Sequence, residues 1–329
     1  MFNIRSIIKK AKSMNKTIVF PEAFYSERTQ RAIVRLLKEK VVNVIVLGDA
    51  DKLKQDGINL KGATVINPMN SDLRPEFIDK ICEIRQSKGM TKPEAEKLLD
   101  DYLYFGTMLV LMGYADGMIA GAENPTSNVL RPALQLIKTK PNIRTASSCF
   151  MMVGTEKLSF GENNVLFVAD CALNVNPDAE TLSDIALSTA STAKNLAGID
   201  PKVAMLSYSS FGSAKEDEDI VKIRSAIKII KNGNSSLKVD GEMQLDCALI
   251  PSVAKLKAPE SKIAGKANIL IFPDLNSGNI GYKIMQRFSS LKAIGVIIQG
   301  LNKPVNDLSR GCSAQDIYVM SAITAIQSE

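Results

Sequence analysis

Short runs of β-branched residues alternate with longer amphipathic stretches along nearly the whole chain, and no other feature constrains the fold as strongly. TIVFPEA (Thr17 to Ala23) reads as a strand ending in a loop, and VVNVIVLG as a strand closed by Gly48. Between them, Ile33, Leu36 and Leu37 share one face of a helix expected from Ser26 to Lys40. ATVINP, a helix from Pro75 to Gln86, a helical stretch from Lys92 to Met112, the strand-to-loop segment GMIAGAENPTSN and a helix beginning at Arg131 to Lys138 continue the alternation. A second series starts near Thr145. NVLFVAD is a buried strand, followed by a helix with Asn176 as N-cap and Pro177 at its first position, ending near Leu196. KVAMLSYSSFGSAK, LKVDGEMQLDCAL, NILIFPDLNSGNIGYKIMQR and AIGVIIQGLNKPVNDLSRGCSAQD each repeat strand, small-residue loop and helix. Such alternation builds parallel strands joined by helical crossovers. The expected fold is α/β, and 329 residues suggest two domains at roughly 150 residues each.

Composition then removes whole classes of chemistry. The chain has no histidine and no tryptophan. Every Ser-His-Asp or Cys-His nucleophilic mechanism is excluded, as is any His-ligated zinc, haem or iron site. Proton transfer near neutral pH must rest on a carboxylate, lysine, tyrosine or thiol. The net charge of +6 comes from basic residues interleaved with acids, so no nucleic-acid groove is expected, while isolated arginines suit a small polyanion. Cys82, Cys149, Cys171, Cys247 and Cys312 form no CxxC pair and read as reduced thiols of a cytosolic protein. The basic N-terminal stretch has Ile4, Ile7, Ile8 and Ala11 at helical spacing, which reads as a surface helix rather than a cleavable signal. No apolar run reaches the ~18 residues of a membrane span, and the best candidate, Met108 to Met118, is cut by Gly113 and Asp116.

Ligands of open α/β sheets bind beyond the carboxyl ends of the strands. Four small-residue loops are expected there: Asn124 to Asn128, Ser207 to Ser213, Asn276 to Gly281 and Ser309 to Ser313. Without GxGxxG or GxxxxGK[ST], they suggest a phosphorylated ligand held by backbone N–H groups outside the standard nucleotide motifs.

NDLSRGCSAQD, together with AMLSYSSFGSAK, DGEMQLD, APESKIAGKANILIFPDLNSGNIGYKIMQR and LRPALQLIKTK, resembles the phosphate acetyltransferases (phosphotransacetylases) of the phosphate acetyl/butyryl transferase family, in order along essentially the whole chain. The resemblance implies reversible acetyl transfer between acetyl phosphate and coenzyme A, giving acetyl-CoA and phosphate, directly within a ternary complex. It implies a two-domain α/β/α fold like the isocitrate and isopropylmalate dehydrogenases, with domain I at 1–144 plus 296–329 and domain II at 145–295, and a cleft between them. A homodimer in the cytoplasm, metabolically coupled to acetate kinase, is implied as well. Coenzyme A enters as co-substrate, with no tightly bound cofactor and no metal.

The residues suit that chemistry. A thiol of pKa ~8.5 opposite an ordinary aspartate of ~3.9 makes full proton transfer roughly 6 kcal/mol uphill. A base becomes plausible where burial raises the aspartate and an arginine stabilises the thiolate. The family motif assigns Asp316 as that base, with Ser309 and Arg310 stabilising the acyl phosphate. Locally, Ser313-x-x-Asp316 is also a capping-box pattern, and the two roles can coexist. The family pattern links Arg131, Arg85 and Arg28 to CoA binding, and Ser127 is a donor to the acyl phosphate. Cys312, near a helix start, reads as a bystander beside the CoA site rather than a nucleophile. The ENPTSNVLRP loop departs from the family: Asn124 and Pro125 stand where a histidine usually begins it. Asp170, Asp240, Asp246 and Asp274 at strand ends read as loop caps or closure contacts rather than the metal cluster of the dehydrogenases. A butyryl-preferring acyltransferase is the alternative within the family, with the surroundings of Ile294 and Met151 deciding. A metal- and NAD-dependent 2-hydroxyacid dehydrogenase and a non-catalytic CoA-binding module are the remote ones.

Overall fold

The computed structural model describes residues 4–233 and 236–329. Residues 1–3, which open the expected domain I, and 234–235, inside the expected domain II, lie outside the described residues. In chain order the strands are β1 (Thr17–Phe20), β2 (Asn43–Leu47), β3 (Thr64–Ile66), β4 (Gly117–Ala120), β5 (Ser147–Gly154), β6 (Val165–Ala169), β7 (Lys202–Leu206), β8 (Lys238–Met243), β9 (Ile269–Ile271), β10 (Leu291–Gln299) and β11 (Val305–Asp307). They fall into two compact units, Ile4–Lys140 with Leu301–Glu329, and Pro141–Gly300. The chain changes unit a few residues before Arg144 and a few after Gly295.

The first unit carries a five-stranded sheet in the order β11-β4-β1-β2-β3, every pairing parallel. Helices cover both faces of such a sheet, so its strands are continuously apolar: Ile18, Val19 and Phe20 are fully buried. The helix Glu27–Glu39 buries Thr29, Ala32, Ile33 and Leu36, the i, i+3, i+4, i+7 stripe of a surface helix. The helix Ala314–Gln327 is buried from Ile317 to Ile326. Because β11, β4 and β1 are parallel neighbours, their carboxyl ends deliver Leu308–Arg310, Gly121–Asn124 and Pro21–Glu22 side by side.

The second unit has six strands in the order β10-β5-β6-β9-β7-β8, with β10–β5 and β5–β6 antiparallel and the rest parallel. Met152, Leu166, Val168 and Leu270 are fully buried in its core, where Tyr282 stacks on Phe150 at 4.1 Å. Met151, paired across the strands with Ile294, is itself fully buried in the sheet.

Local chemistry shifts several expected elements. The stretch Lys92 to Met112 is two helices, Lys92–Leu98 and Tyr102–Met112, because Asp101 accepts from the Leu103 N–H (2.8 Å) and starts a new helix. Asp178, not Asn176, caps the helix Ala179–Ala197, accepting from the Thr181 N–H at 2.8 Å. The helix expected to begin at Arg131 starts at Thr126. Asn276 to Gly281 is no loop but the first half of the helix Leu275–Phe288. Its small residues serve close packing: a Cβ on Gly278 would stand 2.1 Å from the Asp170 carbonyl oxygen. The apolar stretch from Met108 ends in a turn before β4, and no helix among the described residues is long and apolar enough to cross a membrane.

Gly121, at the end of β4, combines a positive φ of 99° with neighbours 2.2 Å (Asp307 Oδ1) and 2.6 Å (Leu308 N) from where a Cβ would stand. Gly57 has φ 69° but no neighbour within 4 Å of that point. Gly57→Ala should therefore cost about 1 kcal/mol, the penalty of a Cβ in the left-handed region. Gly121→Ala should cost about 3 kcal/mol or more. Thermal melting of both variants checks this, and equal losses would contradict the steric account.

Candidate active site

The first of the three loops is built around a buried carboxylate. Glu22, 1% exposed, follows β1 directly. Its Oε2 accepts the Ala122 N–H (2.8 Å), and its Oε1 accepts the N–H groups of Glu123 (3.2 Å) and Asn124 (3.0 Å). The Asn124 side chain adds a bond to Oε1 at 2.8 Å and a second to the Tyr25 hydroxyl at 3.1 Å. Asn124 thus fastens the loop. Burial pushes the Tyr25 hydroxyl up to about 12, so it stays protonated. This loop was expected to offer its N–H groups to a ligand. Glu22 already takes that of Asn124, together with those of Ala122 and Glu123 just before it.

The same substitution recurs in the second unit. Buried Glu242 accepts from the Ser209 hydroxyl (3.0 Å) and the Gly212 N–H (2.8 Å) within the Ser207–Ser213 loop, and pairs with Arg224 at 2.8 Å. Asp170 accepts N–H groups from Ala172 (3.0 Å), Leu173 (3.2 Å) and Asn174 (3.2 Å). Asp274 caps its helix through Ser277, Asp246 pairs with Lys257, and Asp240 accepts from Ser261. Among the described residues no three metal-ligating side chains converge. Backbone nests for a phosphate were expected at four loops: Ser207–Ser213 is organised by Glu242, Asn276–Gly281 is helical, and in Asn124–Asn128 the Asn124 N–H is held by Glu22.

Arg28 binds the loops after β4 and β11 to each other. Nη2 donates to the Ala122 carbonyl (2.5 Å) and Glu123 Oε1 (3.1 Å), and Nε to Glu123 Oε1 (3.3 Å). Nη1 donates to the carbonyls of Arg310 (2.6 Å) and Cys312 (3.2 Å). All five N–H donors of the guanidinium are used within the protein. Ser26 completes the cluster with a 2.8 Å bond to Glu123. Arg28, expected as a third CoA contact, is already fully engaged in shaping the loops.

The loop that Arg28 grips carries the sequence-predicted residues Ser309 and Arg310, both exposed. The Ser309 carbonyl accepts the Cys312 N–H (2.8 Å), and its Oγ accepts the Gly311 N–H (3.2 Å), which leaves the hydroxyl proton free to donate. The Arg310 guanidinium has no hydrogen bond or ion pair among the described residues. Asp316 follows in a complete capping box: Oδ2 accepts the Ser313 N–H (2.9 Å) and hydroxyl (2.8 Å), and the Asp316 N–H donates to Ser313 Oγ (3.2 Å). The carboxylate is exposed, not buried as expected for the base, and its Oδ1 is free. Cys312 is buried, which pushes its thiol up to about 11, despite the opposing charge of Arg28. A thiol so raised is no thiolate at neutral pH.

The charges of Arg131 and Arg85 reach one aromatic. Arg131 lies exposed on the helix Thr126–Pro132, and Arg85 caps the helix Arg74–Ile84. Both charges act on the buried Tyr104, whose hydroxyl burial pushes up and the two arginines pull down. Tyr104 donates to Gln135 at 2.9 Å. Neither guanidinium has a hydrogen bond or ion pair among the described residues, and the Nε of Arg85 is buried without a partner. Ser127 is exposed at the start of the helix that carries Arg131. Sequence reasoning missed Glu22, Glu123, Thr126, Tyr104 and Asp307. Glu22 alone had a legible signal, a carboxylate directly after an apolar strand in TIVFPEA.

Known proteins share this architecture. The family model described as phosphate acetyl/butaryl transferase matches residues 2–325. A phosphate acetyltransferase of Thermoanaerobacterium thermosaccharolyticum is 47% identical, over 99% of both chains. The crystal structure of a phosphotransacetylase from Streptococcus pyogenes superposes with a TM-score of 0.92 at 45% identity, over 99% of both chains. A structure of a putative 4-hydroxythreonine-4-phosphate dehydrogenase from Salmonella typhimurium, with a TM-score of 0.54 at 13% identity over 94% of this chain and 99% of that one, shares the fold alone. The chain belongs to the phosphate acetyl/butyryl transferase family, a family of acyltransferases.

Proposed function

We propose that this chain catalyses reversible acetyl transfer between acetyl phosphate and coenzyme A, giving acetyl-CoA and phosphate, by direct attack of the CoA thiolate in a ternary complex. The observation that carries this reading is the division among the arginines. Arg28 is saturated by the protein, whereas Arg85, Arg131 and Arg310 keep guanidiniums without a hydrogen bond or ion pair among the described residues. Unpaired cations held on ordered elements suit two polyanionic substrates. Arg310, Ser309 and Ser127 hold the acyl phosphate. Arg131 and Arg85, around Tyr104, hold the phosphates of CoA. Acetyl rather than butyryl transfer is favoured by the relatives at 43–47% identity, which are phosphate acetyltransferases.

In the forward step Asp316 Oδ1 takes the thiol proton, sulfur bonds to the carbonyl carbon, and the bond from that carbon to the phosphate oxygen breaks. The phosphate leaves into the field of Arg310, which also stabilises the thiolate. The exposed carboxylate becomes an adequate base only when bound substrates exclude water around it. We place the reaction in a cytoplasmic homodimer with no tightly bound cofactor, metabolically coupled to acetate kinase.

Asp316→Asn should lower turnover about a hundred-fold or more with CoA binding largely kept. Ser313→Ala, which breaks the capping box but spares the carboxylate, should retain most activity. An equal loss in both would reduce Asp316 to a cap. Arg131→Ala and Arg85→Ala should each raise the KM for CoA about ten-fold while leaving that for acetyl phosphate near its starting value. Unchanged CoA dependence would remove them from the site. For Cys312, alkylation by iodoacetamide, followed by mass spectrometry, should be slow at neutral pH. It should climb as pH approaches about 11, because the reactive thiolate forms only near that raised value. A plateau already reached at about pH 8.5, the ordinary cysteine value, would restore Cys312 as a candidate nucleophile.

A further inference from the structure

Asp307 is a buried carboxylate to which the proposed mechanism gives no part. It is the last residue of β11, paired with Ala120 at the end of β4, and only Leu308 separates it from Ser309 and Arg310. The Leu308 N–H continues the pairing to the Ala120 carbonyl at 2.7 Å, so the backbone here is fixed without any help from the side chain. The side chain is 3% exposed. Its Oδ2 accepts the Thr126 hydroxyl at 2.6 Å, whereas its Oδ1 is buried with no partner, pressed toward the Cα of Gly121. Glu22, from the end of β1, and Arg310, from its own loop, are the charged groups that act on it. Burial pushes the carboxyl up to about 6, with Glu22 adding to the rise and Thr126 and Arg310 opposing it. A serine or asparagine could hold Thr126 at less desolvation cost. An incompletely satisfied carboxylate at this place burdens folding, and such groups concentrate where function requires them.

Thr126 is the first residue of the helix that carries Ser127 and Arg131. The Asp307–Thr126 bond therefore joins the Ser309–Arg310 loop to the start of the Ser127 helix. We infer that Asp307, acting through Thr126, is a positioning residue that sets the spacing between Ser127 and the Ser309–Arg310 pair and so fixes the pocket for the acyl phosphate. The carboxylate touches no substrate. The charges of Asp307 and Arg310 also act on each other. This inference rests on the reading above that Ser127, Ser309 and Arg310 hold the acyl phosphate.

The test compares Asp307→Ala, Thr126→Val, Thr126→Ser and the Asp307→Ala/Thr126→Val double variant with Arg310→Ala, measuring KM for each substrate, kcat and thermal melting. Misplacing a binding group by about an ångström costs on the order of a hundred-fold in efficiency. Asp307→Ala and Thr126→Val should each raise the KM for acetyl phosphate about ten-fold or more, with the KM for CoA changed less than about two-fold. Thr126→Ser, which keeps the hydroxyl, should behave as the unaltered protein. The double variant should be no worse than the poorer single variant, because both remove one bond. If Arg310→Ala raises the KM for acetyl phosphate but Asp307→Ala and Thr126→Val do not, the positioning role is overturned and the substrate reading stands. If Arg310→Ala leaves that KM unchanged, the substrate reading falls and this inference with it. A loss shared equally between both substrates, with a lowered melting temperature, marks a merely structural carboxylate and also overturns the assignment.

Discussion

The candidate site depends on one guanidinium. Arg28 sends five N–H donors to Ala122, Glu123, Arg310 and Cys312, and so turns the loops after two neighbouring strands into one body. Its donors go mainly to backbone carbonyls, which cannot rotate away as a side chain can. A lysine could not replace it, since an ammonium offers three donors from a single point. Everything proposed for Arg310 and Asp316 presupposes the loop conformation that Arg28 enforces. A cation expected as a ligand contact is the framework on which the proposed ligand contacts stand.

A second principle is the use of internal carboxylates to organise loops at strand ends. Glu22, Glu242 and Asp170 each gather two or more hydrogen-bond donors from a following or neighbouring loop, all of them backbone N–H groups except the Ser209 hydroxyl on Glu242. These loops have the small-residue composition of phosphate nests, yet the anion each holds is its own side chain. The contacts proposed for an external phosphate are arginine and hydroxyl side chains instead. That division has a physical logic: a nest filled by a covalently attached carboxylate is rigid before substrate arrives, and rigid loops place arginines with less entropy to lose on binding.

The missing histidine finds its explanation in the same loop. Asn124 donates from one amide nitrogen to Glu22 and to Tyr25, so the position normally opened by a histidine is a structural tie here. With no histidine, the base proposed for proton transfer is a carboxylate, the exposed Asp316, whose Oδ1 accepts no hydrogen bond among the described residues. Its other oxygen holds the helix start, so the proposed base is also a cap.

The α/β class and the parallel strands were legible in the sequence, because burial periodicity and local spacing are written residue by residue. Even the capping box was visible, since its partners lie three positions apart. The absence of histidine alone confined acid–base chemistry to other groups. What the sequence could not express was which arginines are free. Arg28, Arg85 and Arg131 look alike in one dimension. Only the adjacency of β11, β4 and β1 brings the carbonyls of residues nearly three hundred positions away onto Arg28, while the charges of Arg85 and Arg131 both reach Tyr104 with nothing to neutralise them. The same adjacency puts Asp307 against Thr126 and Glu22 under Asn124. Partnership between distant groups is a property of the folded sheet, and it decides which charges are structural and which are available to a ligand.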